Sequence, residues 1–369
     1  MKRKFSARLL RWLPLLLLAF GTRYLLLLFT ALAKEMPFGQ LFFDRLAGAG
    51  DAPRYLDIAL NGYVREGENA INLVFYPLYP LLTRGLSFLT GAPALAGVIL
   101  SHLCYAGAVI ALDELLRLDH TAEQAFFGVL LFILYPFSMF VLGVYSESLF
   151  LLLSILCLYA LRKGRYPAAG VLGLLASLTR VQGVLLLLAG LSEPLLRRFG
   201  PEKRKLRPTD TAVLLIPVGF LIYLLINYRL YGDPFQFLRF EAGEPWYQTT
   251  KWPGTNLQTQ LEMLPVAPQL AAIIYIPQIV LFFIGLGALL FGLCRGEPLP
   301  LLLYGGAYLG FTYLSGWMIS GGRYMLCCVP LYGCLSRFKG TAPRFAMLLA
   351  SALLFVIFNT AFLLGFAIM

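Results

Sequence analysis

Apolar residues in this chain come in long blocks, without the alternation of a half-buried strand or the one-sided stripe of a surface helix. The blocks approach the ~20 residues that carry a helix across a bilayer. Short polar or basic segments separate them. They predict eleven crossings, at about residues 9–33, 92–116, 122–142, 146–161, 167–179, 182–197, 211–231, 269–293, 299–315, 322–336 and 343–367. A transmembrane barrel would need segments of about ten residues with alternating polarity, and none occurs. The first block follows a basic start and contains Ala31-Leu32-Ala33, as a secretory signal would. Its length of about 25 residues suits a spanning helix better. The expectation is an all-α polytopic membrane protein, with residues 1–369 forming one integral membrane domain.

Lys and Arg orient the blocks. With the N-terminus cytoplasmic, the inner side receives the basic segments 2–11, 162–165, 197–207 and 337–344, together with Arg117 and Arg295. This is the positive-inside pattern. Shifting one crossing would push RKGR or RRFGPEKRKLR to the other side. Two long segments then face outward, residues 34–91 and 232–268. The first contains three pieces, 40–47, 54–61 and 78–89, that suit short helices lying at the interface, with Pro77 and Pro80 where a helix begins. The second is rich in aromatics, Gly and Pro and reads as a structured loop. The halves show no matching interrupted helices of the inverted-repeat kind.

Composition agrees with a membrane protein. The chain is 59% hydrophobic and 13% charged, with a mean hydropathy of +0.75, whereas soluble domains carry roughly 25% charged residues. The net charge of +11 is explained by the cytoplasmic loops, and no nucleic-acid-binding motif accompanies it. Membrane lipids, not nucleic acid, are the expected surroundings. The six cysteines lie in or beside apolar runs without metal-site spacing and read as core thiols. His102 and His120 form no HExxH pattern. No cofactor is expected; a divalent ion stays open, without a ligand cluster to support it.

Against this background the stretch 51–80, DAPRYLDIALNGYVREGENAINLVFYPLYP, stands out, because an apolar chain here places carboxylates, arginines and tyrosines together. Asp51, Asp57, Glu66 and Glu68 share this loop. Asp51 follows AGAG and opens a helix, where the helix dipole favours an anion. Glu147 sits in YSES at another outer tip. Asp233, Glu241 and Glu244 follow in the second loop, while Asp113 and Glu114 fall near the inner surface as expected partners of Arg117. Several arginines fall outside or at depth: Arg23, Arg54, Arg65, Arg84, Arg180 and Arg323. A guanidinium in the membrane costs roughly 2.5–3.5 kcal/mol on insertion scales and needs a partner or a polar cavity. Snorkelling or a structural ion pair is the simpler reading of Arg23 and Arg84. Arg180 and Arg323 are the better functional candidates, since guanidinium grips phosphate through two parallel hydrogen bonds.

The first outer loop resembles the pattern W-D-x-x-W-Y-L-x-I-A-x-x-G-Y, a gap, then F-F-P-L-Y-P-L-L, of the PIG-V type of mannosyltransferases. The matching residues are Asp51, Tyr55-Leu56, Ile58-Ala59, Gly62-Tyr63 and Phe75-Tyr76-Pro77-Leu78-Tyr79-Pro80-Leu81-Leu82. Further matches follow in order: Tyr145-Ser146-Glu147-Ser148-Leu149-Phe150, Leu178-Thr179-Arg180, Tyr231-Gly232-Asp233-Pro234, and Arg323-Tyr324-Met325 before Pro330. The resemblance runs from about residue 20 to 337. Gly50 and Arg54 stand where the pattern has tryptophans, which leaves the sugar and the acceptor open.

The resemblance implies a GT-C glycosyltransferase fold and a polyprenyl-phosphate sugar donor, usually of mannose. It implies transfer, with inversion, to a glycolipid or other hydroxyl acceptor on the extracytoplasmic face. Asp51 is the expected base, because an alcohol must lose its proton as it attacks the anomeric carbon. Arg180 and Arg323 are expected to hold the donor phosphate. Tyr55, Tyr79, Tyr145, Glu147 and Trp246 are expected to face the sugar or acceptor, with Tyr247 and Trp252 shaping the acceptor side. Two alternatives remain: a different sugar on the same lipid, and a lipid or sugar transporter with no chemistry. The chain carries no ER signal, and the expected location is a bacterial plasma membrane, with the ER as the alternative.

Overall fold

The computed structural model describes residues 2–200, 203–316 and 320–366. Among them the secondary structure is helical, apart from one isolated bridge between Thr250 and Ser315. Among the described residues five helices are long and apolar enough to cross a membrane: Arg8–Ala33, Pro93–Leu116, Pro208–Tyr231, Pro268–Cys294 and Thr341–Leu364. Shorter apolar helices, Ala122–Ile133, Tyr166–Ser177 and Leu299–Thr312, pack between them. The helix Pro93–Leu116 lies along Glu147–Arg162, which in turn packs on Tyr166–Ser177. Close approach is built in by small residues: a Cβ on Gly97 would lie 2.9 Å from Val144, and one on Gly107 2.9 Å from Leu152. The last residue of the expected 343–367 crossing lies outside the described residues.

Prolines break several expected crossings, and the reasons are local. The block 322–336 divides into Gly321–Leu326 and Pro330–Ser336. Pro330 has no N–H to give the Leu326 carbonyl; the Tyr332 hydroxyl donates to that oxygen instead, at 2.8 Å. Ala122–Ile133 stops ahead of Pro136, whose carbonyl accepts from Asn359 at 3.0 Å. Irregular backbone of this kind is tolerated at membrane depth where protein surrounds it. The broken ends also free short segments to carry polar side chains.

The segment 34–91 contains the expected short helices, as Phe38–Leu46, Ala52–Asn61 and Leu78–Thr90. A further 3-10 segment, Glu68–Val74, lies between the second and third. Pro80 falls in the first turn of its helix, where backbone N–H groups lack partners in any case. The segment 232–268 is ordered by Gln236–Ala242 and Pro253–Val266.

Charged residues gather at two ends of the bundle. At one end Asp113 takes both Arg11 and Arg117, each at 2.8 Å, while Glu114 pairs with Arg11 and not with Arg117. Arg162 bridges Asp119 at 2.6 Å and Glu193 at 2.9 Å, and Arg337 reaches Glu297 at 2.7 Å. These are the segments that charge patterning places in the cytoplasm. Arg23 belongs to neither end. It donates to the carbonyls of Ala19 and Ile133 and to Ser138, and lies between the rings of Tyr105 and Phe355. Its role is structural.

Candidate active site

The other end of the bundle assembles a polar cluster from parts far apart in sequence. It starts at the turn before Ala52–Asn61. Gly50 adopts φ +57, a left-handed conformation that L side chains resist, and a Cβ there would lie 2.6 Å from the Tyr145 hydroxyl. That hydroxyl donates to the Ala49 carbonyl at 2.6 Å. The side chain the family pattern has at Gly50 has no room in this geometry. Asp51 follows at the N-cap but makes no side-chain cap bond. Its carboxylate instead receives the Arg323 guanidinium at Oδ2.

Arg323 rides on the short helix Gly321–Leu326 released by the break at Pro330. Its guanidinium packs against the rings of Phe140 (4.8 Å) and Tyr145 (5.0 Å), which meet each other edge-on. Tyr135 donates to the Gly322 carbonyl at 3.0 Å and Tyr308 to the Tyr324 carbonyl at 3.1 Å, which fixes the helix. The second carboxylate held by Arg323 is that of Glu147. Glu147 is 0% exposed and opens the helix Glu147–Arg162, whose N-terminal end favours an anion. Its Oε1 also takes Arg180, which sits in extended backbone between Tyr166–Ser177 and Val181–Leu185. Arg180 further donates to Ser146 Oγ at 3.2 Å, which is 2.9 Å from the Tyr55 hydroxyl. Burial pushes the Tyr55 phenol above its ordinary pKa, so it stands as a neutral hydrogen-bonding group.

Two cavities meet at this cluster. One, of about 120 Å³, is lined by Asp51, Tyr55, Tyr76, Ser146, Arg180, Gln182, Glu241, Trp246, Gln248, Arg323 and Tyr324. The other, of about 420 Å³, is lined by Arg45, Arg54, Asp51, Phe140, Tyr145, Trp246, Arg323, Phe362 and Phe366. Asp51, Trp246, Gln248, Arg323 and Tyr324 belong to both walls. The arrangement offers a carboxylate for a proton, guanidinium groups for an anion, and in the larger cavity an apolar side. Among the described residues no group of three or more His, Cys, Asp or Glu converges as a metal site would.

The structure brings Asp51, Tyr55, Arg180, Trp246 and Arg323 to one wall, and Tyr145 to the larger cavity. Two of the residues expected to face a sugar lie elsewhere. Tyr79 is fully buried, with its hydroxyl donating to Gly97 at 3.0 Å and bonded to Ser101 at 2.8 Å, and its ring edge supports Tyr55. Glu147 is enclosed behind its two arginines and positions them. Of the second-loop aromatics, Tyr247 bonds Glu244 at the surface and Trp252 is 77% exposed; neither lines these two cavities. Asp57, the nearest rival of Asp51, is occupied by Asn61 and Asn72 at 2.7 and 2.8 Å. Arg84 is exposed, as is Arg65, which donates to the Arg229 carbonyl.

Sequence reasoning passed over Arg54, Tyr76, Gln182, Glu241, Gln248 and Arg45 as wall residues. Arg54 had a usable signal: it replaces an aromatic of the family pattern, and its guanidinium lies 5.2 Å from the Trp246 ring while donating to Asn72 at 3.0 Å. An arginine stacked on a second-loop tryptophan fills the space. Glu241 lacks a local signal altogether.

Residues 50–241 match the family described as Mannosyltransferase (PIG-V). The human GPI alpha-1,6-mannosyltransferase 2 is 32% identical over 145 residues, covering 36% of this chain and 29% of the human one. The mouse protein of the same name is 32% identical over 199 residues, covering 49% of this chain and 39% of its own. The chain thus spans less than two fifths of the length of these curated relatives. Among solved structures, ArnT from Cupriavidus metallidurans bound to undecaprenyl phosphate superposes with a TM-score of 0.55 at 15% identity, over 88% of this chain and 62% of ArnT. The fold is that of the GT-C class.

Proposed function

The chain belongs to the mannosyltransferase (PIG-V) family, and we propose that it is an inverting glycosyltransferase moving mannose from a polyprenyl-phosphate donor to a hydroxyl acceptor on the extracytoplasmic membrane face. The observation that carries this reading is the chain of contacts Asp51–Arg323–Glu147–Arg180, in which Asp51, Arg323 and Arg180 line a cavity and Glu147 braces the arginines from behind. Asp51 has Oδ2 engaged by Arg323, which leaves Oδ1 to receive the acceptor proton. As the acceptor oxygen approaches the anomeric carbon, the bond to the phosphate lengthens and the sugar gains oxocarbenium character, as in glycoside hydrolysis. The departing lipid phosphate gains charge, and preorganised guanidinium groups in a site poor in water stabilise it without reorganising.

The remaining features of the proposal follow from the walls. The larger cavity combines Arg45 and Arg54 with Phe362 and Phe366, a mixture that suits an isoprenoid leading to a phosphate at Arg323, on the wall shared with the smaller cavity. ArnT, which shares the fold, was solved with undecaprenyl phosphate, a lipid of that class. The outward orientation rests on the basic clusters collecting at the opposite end of the bundle. The test is Asp51→Asn, assayed with polyprenyl-phosphate mannose and then with the same lipid carrying other hexoses. The expected result is a loss of roughly 10²–10⁴-fold in transfer with donor binding retained. Wild-type turnover by the variant would remove Asp51 from the role, and a preference for another hexose would correct the sugar.

A further inference from the structure

We propose that Glu241 is the proton donor to the departing phosphate, completing an acid–base pair with Asp51 across the smaller cavity; this rests on the transferase reading above. Two carboxyl groups line that cavity, and their surroundings differ. Asp51 stands in an ion pair with Arg323. Glu241 makes no side-chain hydrogen bond or ion pair among the described residues. It lies in the last turn of Gln236–Ala242, where the negative end of the helix disfavours a carboxylate.

The position of Glu241 is built, not incidental. Its helix is anchored by the Phe237 N–H, which donates to Asn227 Oδ1 at 3.1 Å. Beneath it Tyr223 stacks on Tyr76 at 4.0 Å and donates to the Leu73 carbonyl at 2.7 Å. The ionisable groups felt around Glu241 are the phenols of Tyr76, Tyr223 and Tyr324. Arg180, Asp51 and Arg323 share its cavity. On the two segments packed against its helix, Glu68 and Arg229 are exposed. The Tyr76 hydroxyl lines the same wall, buried and without a partner. Burial pushes the Glu241 carboxyl up to about 7. Two carboxyls in one site with environments that drive them apart divide into base and acid.

The step balances. The acceptor hydroxyl proton passes to the Asp51 carboxylate as the new C–O bond forms at the anomeric carbon. The C–O bond to phosphate breaks, with its electron pair going to the phosphate oxygen. Glu241 gives its proton to that phosphate, whose second ionisation near pH 6 matches the acid delivering it. One proton then returns from Asp51 to Glu241 through the cavity, and the site is reset.

The test is the pH profile of transfer from polyprenyl-phosphate mannose by wild type, Glu241→Gln and Glu241→Asp. An acid that must be protonated predicts wild-type activity falling as pH rises through about 7. Glu241→Gln is expected to lose that alkaline limb and to be at least about tenfold slower below it, with Glu241→Asp restoring both in part. Infrared spectra give a readout that needs no turnover. A carboxylic acid band present in acid and lost through about pH 7 should vanish in Glu241→Gln. Retention of the alkaline limb in that variant, a wild-type rate below it, or an unchanged infrared band would overturn the assignment. Asp51→Asn stays inactive at every pH if the transferase reading holds, so failure of Glu241 alone leaves that reading intact.

Discussion

The two arginines that converge on Glu147 make it the residue whose removal should cost most. The cluster of Asp51, Glu147, Arg180 and Arg323 holds two negative and two positive charges, and Glu147 is fully buried. Glu147→Gln keeps the shape and leaves one uncompensated positive charge. Arg323 retains Asp51, but Arg180 keeps only the neutral Ser146. Breaking a buried pair by removing one partner costs roughly 3–5 kcal/mol. Unfolding entropy of about 2.1 cal/mol/K per residue gives about 0.8 kcal/mol per degree for a chain of 369 residues. The expected drop in Tm in detergent is therefore roughly 4–6 °C. A double variant, Glu147→Gln with Arg180→Gln, restores neutrality and should recover about half of that loss, because the two sites are coupled. Additive losses in the double variant, or a single variant within about a degree of wild type, would refute the idea that Glu147 acts as the anion clamping both guanidinium groups.

Two further substitutions separate architecture from chemistry. Gly50→Ala forces a side chain into a left-handed turn at roughly 1–2 kcal/mol and drives its Cβ against the Tyr145 hydroxyl; because Asp51 is the next residue, kcat should fall at least about tenfold, and an unchanged kcat would show that the turn does not position the carboxylate. Tyr79→Phe removes two hydrogen bonds from a buried ring and should lower stability by about 1 kcal/mol with KM for donor and acceptor unaltered; a KM rise of tenfold or more would return Tyr79 to the sugar-facing set.

How far the sequence reveals this site depends on what each side chain costs in its setting. Asp51, Glu147, Arg180 and Arg323 are legible because charge in an apolar chain is expensive and therefore sparse, so each one needs an explanation. Whether such a residue touches substrate or braces a neighbour is not legible, and Glu147 falls on the bracing side because its two partners enclose it. Tyr79 and Tyr55 look alike in sequence. Only the packing of Pro93–Leu116 against the first loop, which supplies Gly97 and Ser101 as partners, turns one of them into core. Glu241 is invisible for the converse reason: a loop carboxylate is ordinarily solvated, and this one is placed by a helix that packs through Phe237 on the stacked Tyr76 and Tyr223, which lie 147 positions apart. The break at Pro330 could be read from the chain, but the Tyr332 hydroxyl that makes it tolerable could not.

The two charged ends have a common measure in the helix Glu147–Arg162. It has 16 residues, so Glu147 and Arg162 are separated by about 22 Å at 1.5 Å per residue, less than the ~30 Å hydrocarbon core. In the proposed orientation, with Arg162 at the cytoplasmic boundary, Glu147 lies beneath the opposite one. A charge at that depth is tolerable when its group is neutral overall, and the four-residue cluster is. The donor in the proposed reaction disturbs that neutrality, because a phosphodiester brings one negative charge, and proton transfer to Asp51 and from Glu241 leaves that net charge unchanged on cleavage. Arg45 and Arg54 supply the counterweight: both line the larger cavity, and neither has a carboxylate partner among the described residues. The excess positive charge at this wall is what the proposed lipid-phosphate donor would meet. A site balanced within its four-residue cluster and over-positive at its wall fits the anionic donor proposed for it.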